Sequence, residues 1–147
     1  MIKLIVIVMA LLTGCSSTVN NSGDITKTDT NIIYAYIDDN ILEINLEDNS
    51  SAEAFLKHLK ENDIVVDMSD YGGFEKVGDL GFNLPRNDTD INATSGDVIL
   101  YQGNSITIYY GNNSWNFTKL GKIENVSQYE LKNILGDYDI KVRFSLD

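Results

Sequence analysis

Hydrophobic and polar residues alternate along several short stretches of the chain, which is typical of β-strands with one buried face. In residues 41–46, for example, three apolar side chains alternate with Glu43 and Asn45. Patterns of this kind predict seven strands, at residues 32–37, 41–46, 64–68, 98–102, 105–110, 115–118 and 140–146, with residues 74–77 as a candidate eighth.

Turn-forming residues separate two pairs of these strands. Asp38, Asp39 and Asn40 follow the first strand, and Gly103-Asn104 stands between residues 98–102 and 105–110. Asp, Asn and Gly favour the backbone conformations that tight turns require. We therefore predict a β-hairpin at each of these two places.

Two helices interrupt the β pattern. The first is predicted to begin at Ser50, which forms a capping box with Glu53, and its apolar residues 52, 55, 56 and 59 recur at helical spacing. The second begins at Ser127, with Glu130 in the same capping role, and ends at Gly136. Many short strands with two widely separated helices favour a mainly β domain built as a closed antiparallel barrel, with a β-sandwich as the alternative.

The first fifteen residues have the features of an export signal. Lys3 precedes nine apolar residues at positions 4–12, too few to span a bilayer but typical of a secretory signal. The following Leu12-Thr13-Gly14-Cys15 resembles the lipobox of bacterial lipoproteins, whose signal is removed before a lipidated cysteine. This resemblance implies a signal peptide at residues 1–14, lipid on Cys15 and, with the polar composition that follows, a flexible tether over residues 15–30. The alternatives are a plain secretory signal and a short membrane anchor.

Charge and cysteine content narrow the classes of function. The 147 residues include 11 Lys+Arg and 22 Asp+Glu, a formal net charge of −11 that disfavours nucleic acid as a partner. One Cys excludes an intrachain disulfide, and one His excludes a His-rich metal site. Residues 88–99 also fail as a calcium loop, because Ala93 and Ile99 occupy the positions of its Gly and Glu. We expect a monomer without metal or cofactor, attached only through lipid on Cys15 to the outer side of the cytoplasmic membrane.

Four stretches of the remaining chain resemble the bacterial cyclophilin-like fold proteins. They are residues 70–78 (DYGGFEKVG), 80–85 (LGFNLP), 96–104 (GDVILYQGN) and 110–115 (YGNNSW), in the order and spacing of that family. The similarity extends over about residues 32–147. It implies that residues 31–147 form a closed eight-stranded antiparallel cyclophilin-type barrel with two capping α-helices.

The catalytic motif of the true cyclophilins is missing. These enzymes isomerise peptidyl-prolyl bonds with an Arg beside apolar side chains and carry a Phe-Met-x-Gln-Gly-Gly-Asp type signature. The corresponding residues 74–81 read FEKVGDLG, without Arg and without the Gln-Gly-Gly-Asp run. The chain has only Arg86 and Arg143, and Arg143 alternates outward on the last strand. Arg86 is therefore the one weak catalytic candidate.

Aromatic residues supply the candidate ligand cleft, and core packing is the alternative for each of them. The cleft candidates are Tyr71, Phe74, Phe82, Tyr101 and Trp115, with the amide of Gln102 to orient a peptide. The segment 71–74, a Gly pair between aromatics, favours a bend at a barrel corner over a cleft wall. His58 lies away from the apolar stripe of its helix and is expected to be an exposed surface residue.

These observations lead to three functional hypotheses. We expect a non-catalytic module that binds a peptide or small ligand, because the barrel pattern is present and the Arg motif is not. A peptidyl-prolyl isomerase acting on proteins that fold outside the membrane is the first alternative. The second is an accessory to a flavin or redox partner, which rests on the resemblance alone, since some relatives accompany flavodoxin-like domains.

Overall fold

The computed structural model describes residues 31–147, which form nine β-strands and two α-helices. The strands are β1 (Ile32–Ile37), β2 (Asn40–Leu46), β3 (Ile64–Tyr71), β4 (Glu75–Asp79), β5 (Thr89–Ala93), β6 (Asp97–Tyr101), β7 (Ser105–Tyr109), β8 (Asn113–Ile123) and β9 (Ile140–Ser145). The helices are α1 (Ser50–Glu61) and α2 (Gln128–Leu135). The signal peptide, the lipidated Cys15 and the tether predicted from the sequence lie outside the described residues.

Eight strands form a closed antiparallel ring in the order β2-β1-β9-β3-β4-β7-β6-β8, which the pairing of β8 with β2 completes. This confirms the predicted eight-stranded barrel. Gly121 permits the closure, because a Cβ at that position would lie 2.6 Å from the carbonyl oxygen of Asn45 on β2. Strand β5 stands outside the ring and pairs only with residues 113–117 of β8.

Alternating apolar side chains of the ring fill the barrel, and the two helices close its opposite ends. Helix α1 joins β2 to β3 and places Phe55 edge-on against Phe144 of β9, with ring centroids 5.7 Å apart. Helix α2 joins β8 to β9 and adds Leu131 and Leu135 to the same core. Neither helix of residues 31–147 has the length and hydrophobicity needed to cross a bilayer.

The helix ends confirm one predicted capping box and contradict the other. Ser127 and Glu130 form the reciprocal box that starts α2, and Gly136 ends this helix with φ of +61°. Helix α1 instead begins after Asn49, whose side chain accepts a hydrogen bond from the Ala52 N–H at 2.9 Å. The prediction of Ser50 as the cap is therefore wrong by one residue, because the preceding Asn performs the same function.

Strand boundaries differ from the predictions where local hydrophobic alternation is weak. The pattern misses β5, which has only Ile91 and Ala93 packed against the rest of the protein, and it recovers only four of the eleven residues of β8. The β6–β7 turn is also displaced from its predicted position, because Gln102 and Gly103 are the residues with positive φ, +53° and +82°. Gln102 therefore lies in a turn rather than at a strand end.

Candidate functional site

A cavity of about 410 Å³ opens on the outside of the barrel, and we call it the outer cavity. One wall is the outer face of β4 and β7, where Glu75 lies opposite Tyr109 and Val77 lies opposite Thr107. Ile106 and Ile108, which alternate with these residues on β7, face the barrel core. The opposite wall is the first half of β8, which leaves the barrel to pair with β5 and carries Trp115 into the cavity.

The floor of the outer cavity is a small apolar cluster separate from the barrel core. Its buried members are Ala93, Ile99, Tyr109 and Phe117, with Phe74 and Ile91 packed against them. Aromatic rings continue from the floor to the rim, since Tyr109 lies 6.0 Å from both Phe74 and Phe117, measured between ring centroids. Tyr71 contacts Phe74 at 6.0 Å, and Tyr101 contacts Phe117 at 6.2 Å. Five of the ten residues that line the cavity are aromatic, whereas Phe74 packs behind Tyr109 and does not line it.

Three large rings at the rim stay in contact with water. Trp115 is 63% exposed and Tyr71 is 61% exposed, and Tyr101 is exposed as well. Exposed aromatic side chains are ordinary when they are scattered, but rings grouped around a concave site are typical of ligand binding. The sequence reading placed all three in a ligand cleft, and the structure brings them together at one cavity.

The hairpin turn between β3 and β4 shapes one side of the rim. Gly72 and Gly73 have φ of +63° and +71°, a conformation that L residues with side chains rarely adopt. A Cβ at Gly72 would also lie 2.3 Å from the Phe74 ring. Segment 71–74 is thus the bend that the sequence favoured, and this bend sets Tyr71 on the rim and Phe74 beneath Tyr109.

Glu75 is the most unusual group in the outer cavity. Its side chain is only 8% exposed, and its carboxylate oxygen Oε2 has no hydrogen-bond partner within the protein. Burial raises the pKa of Glu75, the nearby Asp70 carboxylate adds to this effect, and the Tyr109 hydroxyl opposes it. This acid has the Tyr109 hydroxyl beside it but neither the cation nor the set of donors that normally accompanies a buried carboxylate.

Two further polar groups face the same space. The Thr107 hydroxyl is buried and has no hydrogen-bond partner, while the Tyr109 hydroxyl accepts a hydrogen bond from Asn113 Nδ2 at 3.3 Å. Burial, together with the neighbouring Glu75, raises the pKa of Tyr109, so this phenol stays protonated. No Lys, Arg or His is present among the described residues that line the cavity. The site therefore offers oxygen atoms and aromatic faces but no positive charge.

Phe82 and His58 lie at a different part of the molecule. Phe82 belongs to the loop after β4, where it packs against the barrel core and stacks on His58 of α1 with ring centroids 4.0 Å apart. The stacking leaves His58 only partly exposed, which corrects the prediction of an exposed surface histidine. The spacing of apolar residues along α1 could not predict this contact, because the partner ring belongs to a loop that is distant in the sequence.

The remaining predicted site residues do not line the outer cavity. Gln102 donates a hydrogen bond to the Tyr101 hydroxyl at 3.1 Å from the neighbouring turn. The guanidinium of Arg86 is exposed and held by Asp88, with Nε 2.8 Å from Oδ2. Arg143 faces outward, as predicted, and stacks on Tyr36 at 4.0 Å.

Sequence reasoning missed Glu75, Thr107 and Asn113 as members of this site. A signal for Thr107 is present in β7, where Ser105, Thr107 and Tyr109 share one face of a strand whose other face is apolar. A polar strand face that contains Thr and Tyr is consistent with a site outside the barrel. Glu75 had no comparable signal, because its burial depends on β8 and the β3–β4 turn.

Nothing in the described part of the chain resembles a metal centre. Within residues 31–147 no three His, Cys, Asp or Glu side chains are grouped so that they could hold an ion. Asp88, the first residue of segment 88–99, accepts a hydrogen bond from Thr118 Oγ1 at 2.6 Å. Its pKa is lowered by this bond and by Arg86.

Comparison with known proteins agrees with the barrel. A family model described as the cyclophilin-like family matches residues 35–145. Among solved structures, the solution structure of a hypothetical protein from Archaeoglobus fulgidus aligns with a TM-score of 0.58 and 14% sequence identity. The alignment covers 79% of this chain and 94% of that chain, and at this identity it shows a similar fold and no more. No curated protein matches the sequence.

Proposed function

The chain belongs to the cyclophilin-like family, and from that premise we propose that its domain is a non-catalytic module that binds a peptide or small ligand in the outer cavity. One observation carries the proposal. The rings of Tyr71, Tyr101 and Trp115 surround a concave site whose wall contains buried polar atoms without partners in the protein. Ligand sites combine apolar walls with a few such polar groups.

The positions of the two arginines support binding over catalysis. Rotation about a prolyl peptide bond has a barrier of about 18–20 kcal/mol, and its catalysis needs a donor aimed at the reacting amide. Arg86 is engaged by Asp88 outside the cavity, and Arg143 lies over Tyr36. An isomerase would need one of these groups to move into the cavity.

We also propose that lipid on Cys15 holds this domain at the outer face of the cytoplasmic membrane. The apolar residues 4–12 and the lipobox-like residues before Cys15 support this. Several acyl chains anchor a protein stably, whereas an acidic domain gains no attraction from an anionic leaflet. Replacement of Cys15 with Ser should transfer the protein from the membrane fraction to the soluble fraction of cells. Retention in the membrane fraction would contradict the lipid anchor.

Binding can be tested with the fluorescence of Trp115, the only Trp in the chain. The purified protein is titrated with three capped peptides of similar length, one basic, one acidic and one neutral. We expect a saturable change with at least one of them. Tyr101→Ala should weaken that binding by roughly tenfold, since aromatic contacts contribute up to about 1.5 kcal/mol. Tyr129→Ala is the matched control, because Tyr129 is an exposed tyrosine on α2.

The same preparation is then assayed for isomerisation of a chromogenic peptide that contains one X–Pro bond. A rate equal to the uncatalysed one, together with saturable fluorescence, supports a binding module. Acceleration that disappears in Arg86→Ala would replace this proposal with an isomerase. No fluorescence change with any of the three peptides would also contradict the proposal.

A further inference from the structure

We infer that the ligand of the outer cavity carries an organic cation, an ammonium or guanidinium group on an apolar stem. This inference rests on the proposed function and specifies the chemical class that the site takes. It follows from three features of the cavity, which are a buried carboxylate without a cationic partner, an aromatic surround, and an acidic setting in which no basic residue lines the cavity.

The first feature is the isolation of Glu75 compared with other carboxylates of the fold. Asp97 lies 3.1 Å from the ammonium of Lys122, and Asp70 lies 3.5 Å from that of Lys76. Glu75 is more buried than Asp70 and, like Asp97, is less than a tenth exposed, yet its Oε2 contacts no donor. A buried carboxylate is stable when a cation or several donors accompany it. A positively charged ligand would supply what the chain itself does not.

The second feature is the shape and chemistry around this carboxylate. Tyr71, Tyr101, Tyr109 and Trp115 present their rings to the same cavity. The faces of such rings attract cations within about 6 Å of the ring centre, and Trp does so most strongly. The apolar surface of Val77 and Phe117 in the lining suits a hydrocarbon stem. The buried Thr107 hydroxyl provides an acceptor for an N–H group.

The third feature is charge. The chain has a formal net charge of −11, and Asp70 acts on Glu75 from the neighbouring strand. An acidic surface draws cations towards a cleft and repels anions. A neutral sugar or peptide would fill the cavity and leave the Glu75 carboxylate without a counter-charge. These charges favour a cationic ligand over an anionic ligand and over a neutral one.

The test compares ligands that differ only in charge. Acetyl-Gly-Lys-Gly-amide is titrated against the protein beside its norleucine analogue, and an arginine peptide beside its citrulline analogue. We expect each cationic peptide to bind at least roughly tenfold more tightly than its neutral analogue. n-Butylamine tests whether the free amine is sufficient. An affinity equal to that of the lysine peptide would indicate a small amine as ligand, and a weaker one would indicate a basic side chain of a peptide.

Two variants connect the preference to the carboxylate. Glu75→Gln keeps the shape of the side chain and should abolish the difference between lysine and norleucine. Glu43→Gln makes the same change of charge on the exposed face of β2 and should leave the difference intact. Thermal unfolding of both variants verifies that the fold is retained.

The outcomes separate this inference from the function on which it rests. Equal binding of lysine and norleucine peptides by the unmodified protein would contradict the inference of a cationic ligand. It would not contradict the proposed binding module. Preservation of the preference in a folded Glu75→Gln variant would overturn the role of Glu75. Absence of binding by every probe would overturn both the inference and the proposed function.

Discussion

Asp97 and Glu75 are two buried carboxylates of one barrel, 4% and 8% exposed, and their surroundings differ completely. Asp97 accepts the Thr94 N–H at 2.7 Å and lies within 3.3 Å of the ammonium groups of Lys119 and Lys122. Each acid has one oxygen that accepts no hydrogen bond, Oδ1 of Asp97 and Oε2 of Glu75, but two ammonium groups accompany Asp97 Oδ1 and no cation of residues 31–147 pairs with Glu75. Burial alone therefore does not show what a charged group does. The partners show it, since Asp97 completes an internal ion-pair network and Glu75 has no cationic partner among residues 31–147.

The difference also appears in the pKa values of the two acids. Burial acts to raise the pKa of Asp97, but the Thr94 N–H and the two lysines hold it below its ordinary value. Burial raises the pKa of Glu75, and the Tyr109 hydroxyl offsets this only in part. Ionised Asp97 thus stabilises the fold, whereas ionised Glu75 destabilises it. The unfolding free energy should respond to pH with opposite sign at the two positions.

The largest expected effect comes from removing the paired charge. Asp97→Asn should lower the unfolding free energy at pH 7 by about 2 kcal/mol, the scale of hydrogen bonds to charged groups. The pKa of Asp97 is lowered from about 3.8, so its contribution is present above pH 4 and is lost as pH falls below that value. Urea unfolding of protein and variant at pH 7 and pH 3 measures this difference, which should shrink at pH 3.

Asp67→Asn is the matched control for this variant. Asp67 pairs with Lys141 at 2.8 Å, but both side chains are largely exposed. Solvent and salt screen such pairs, so this replacement should leave urea unfolding unchanged within error. Equal losses in the two variants would mean that the burial of Asp97 is irrelevant to its contribution.

Removing the charge at Glu75 should have the opposite sign. The pKa of Glu75 is raised from about 4.5, so the folded protein holds a proton that the unfolded chain releases. The unfolding free energy therefore declines as pH rises through that value, and Glu75→Gln should remove this decline. At pH 7 we expect the variant to be more stable than the unmodified protein by about 1 kcal/mol. Urea unfolding at pH 4 and pH 7 measures it, and a loss of stability at pH 7 would show that the Tyr109 hydroxyl outweighs the burial of the Glu75 carboxylate.

The same contrast explains how much of the molecule could be predicted from its sequence. The barrel strands and the start of α2 follow from local patterns, since alternation and a capping box are encoded within a few residues. Tyr71, Tyr101 and Trp115 are predicted as cleft candidates because they are aromatic, and Trp115 also follows a turn. Such signals need no knowledge of distant contacts.

The polar residues of the outer cavity could not be predicted from local sequence patterns. Glu75 alternates on β4 like any solvent-facing residue, and its burial comes from the β3–β4 turn and from β8, whose first half forms a ribbon with β5. That ribbon has weak hydrophobic alternation, so neither its pairing nor the burial that it causes is visible locally. Phe82 was assigned to the cleft for the converse reason, since its partner His58 is distant in the sequence.

Thr107 gives the smallest expected effect and extends the comparison to neutral groups. Its buried hydroxyl has no partner, whereas that of Thr118, also buried, accepts the Asn87 N–H at 2.8 Å and donates to Asp88 at 2.6 Å. Replacement by Val keeps the shape and removes the hydroxyl. Thr107→Val should raise the unfolding free energy by about 0.5 kcal/mol, because an unsatisfied polar group is lost, while Thr118→Val should lower it by about 1 kcal/mol. Urea unfolding shows whether each replacement raises or lowers the unfolding free energy. If Thr107→Val is destabilised like Thr118→Val, its hydroxyl serves the fold, and the outer cavity loses one of the groups that point to a ligand.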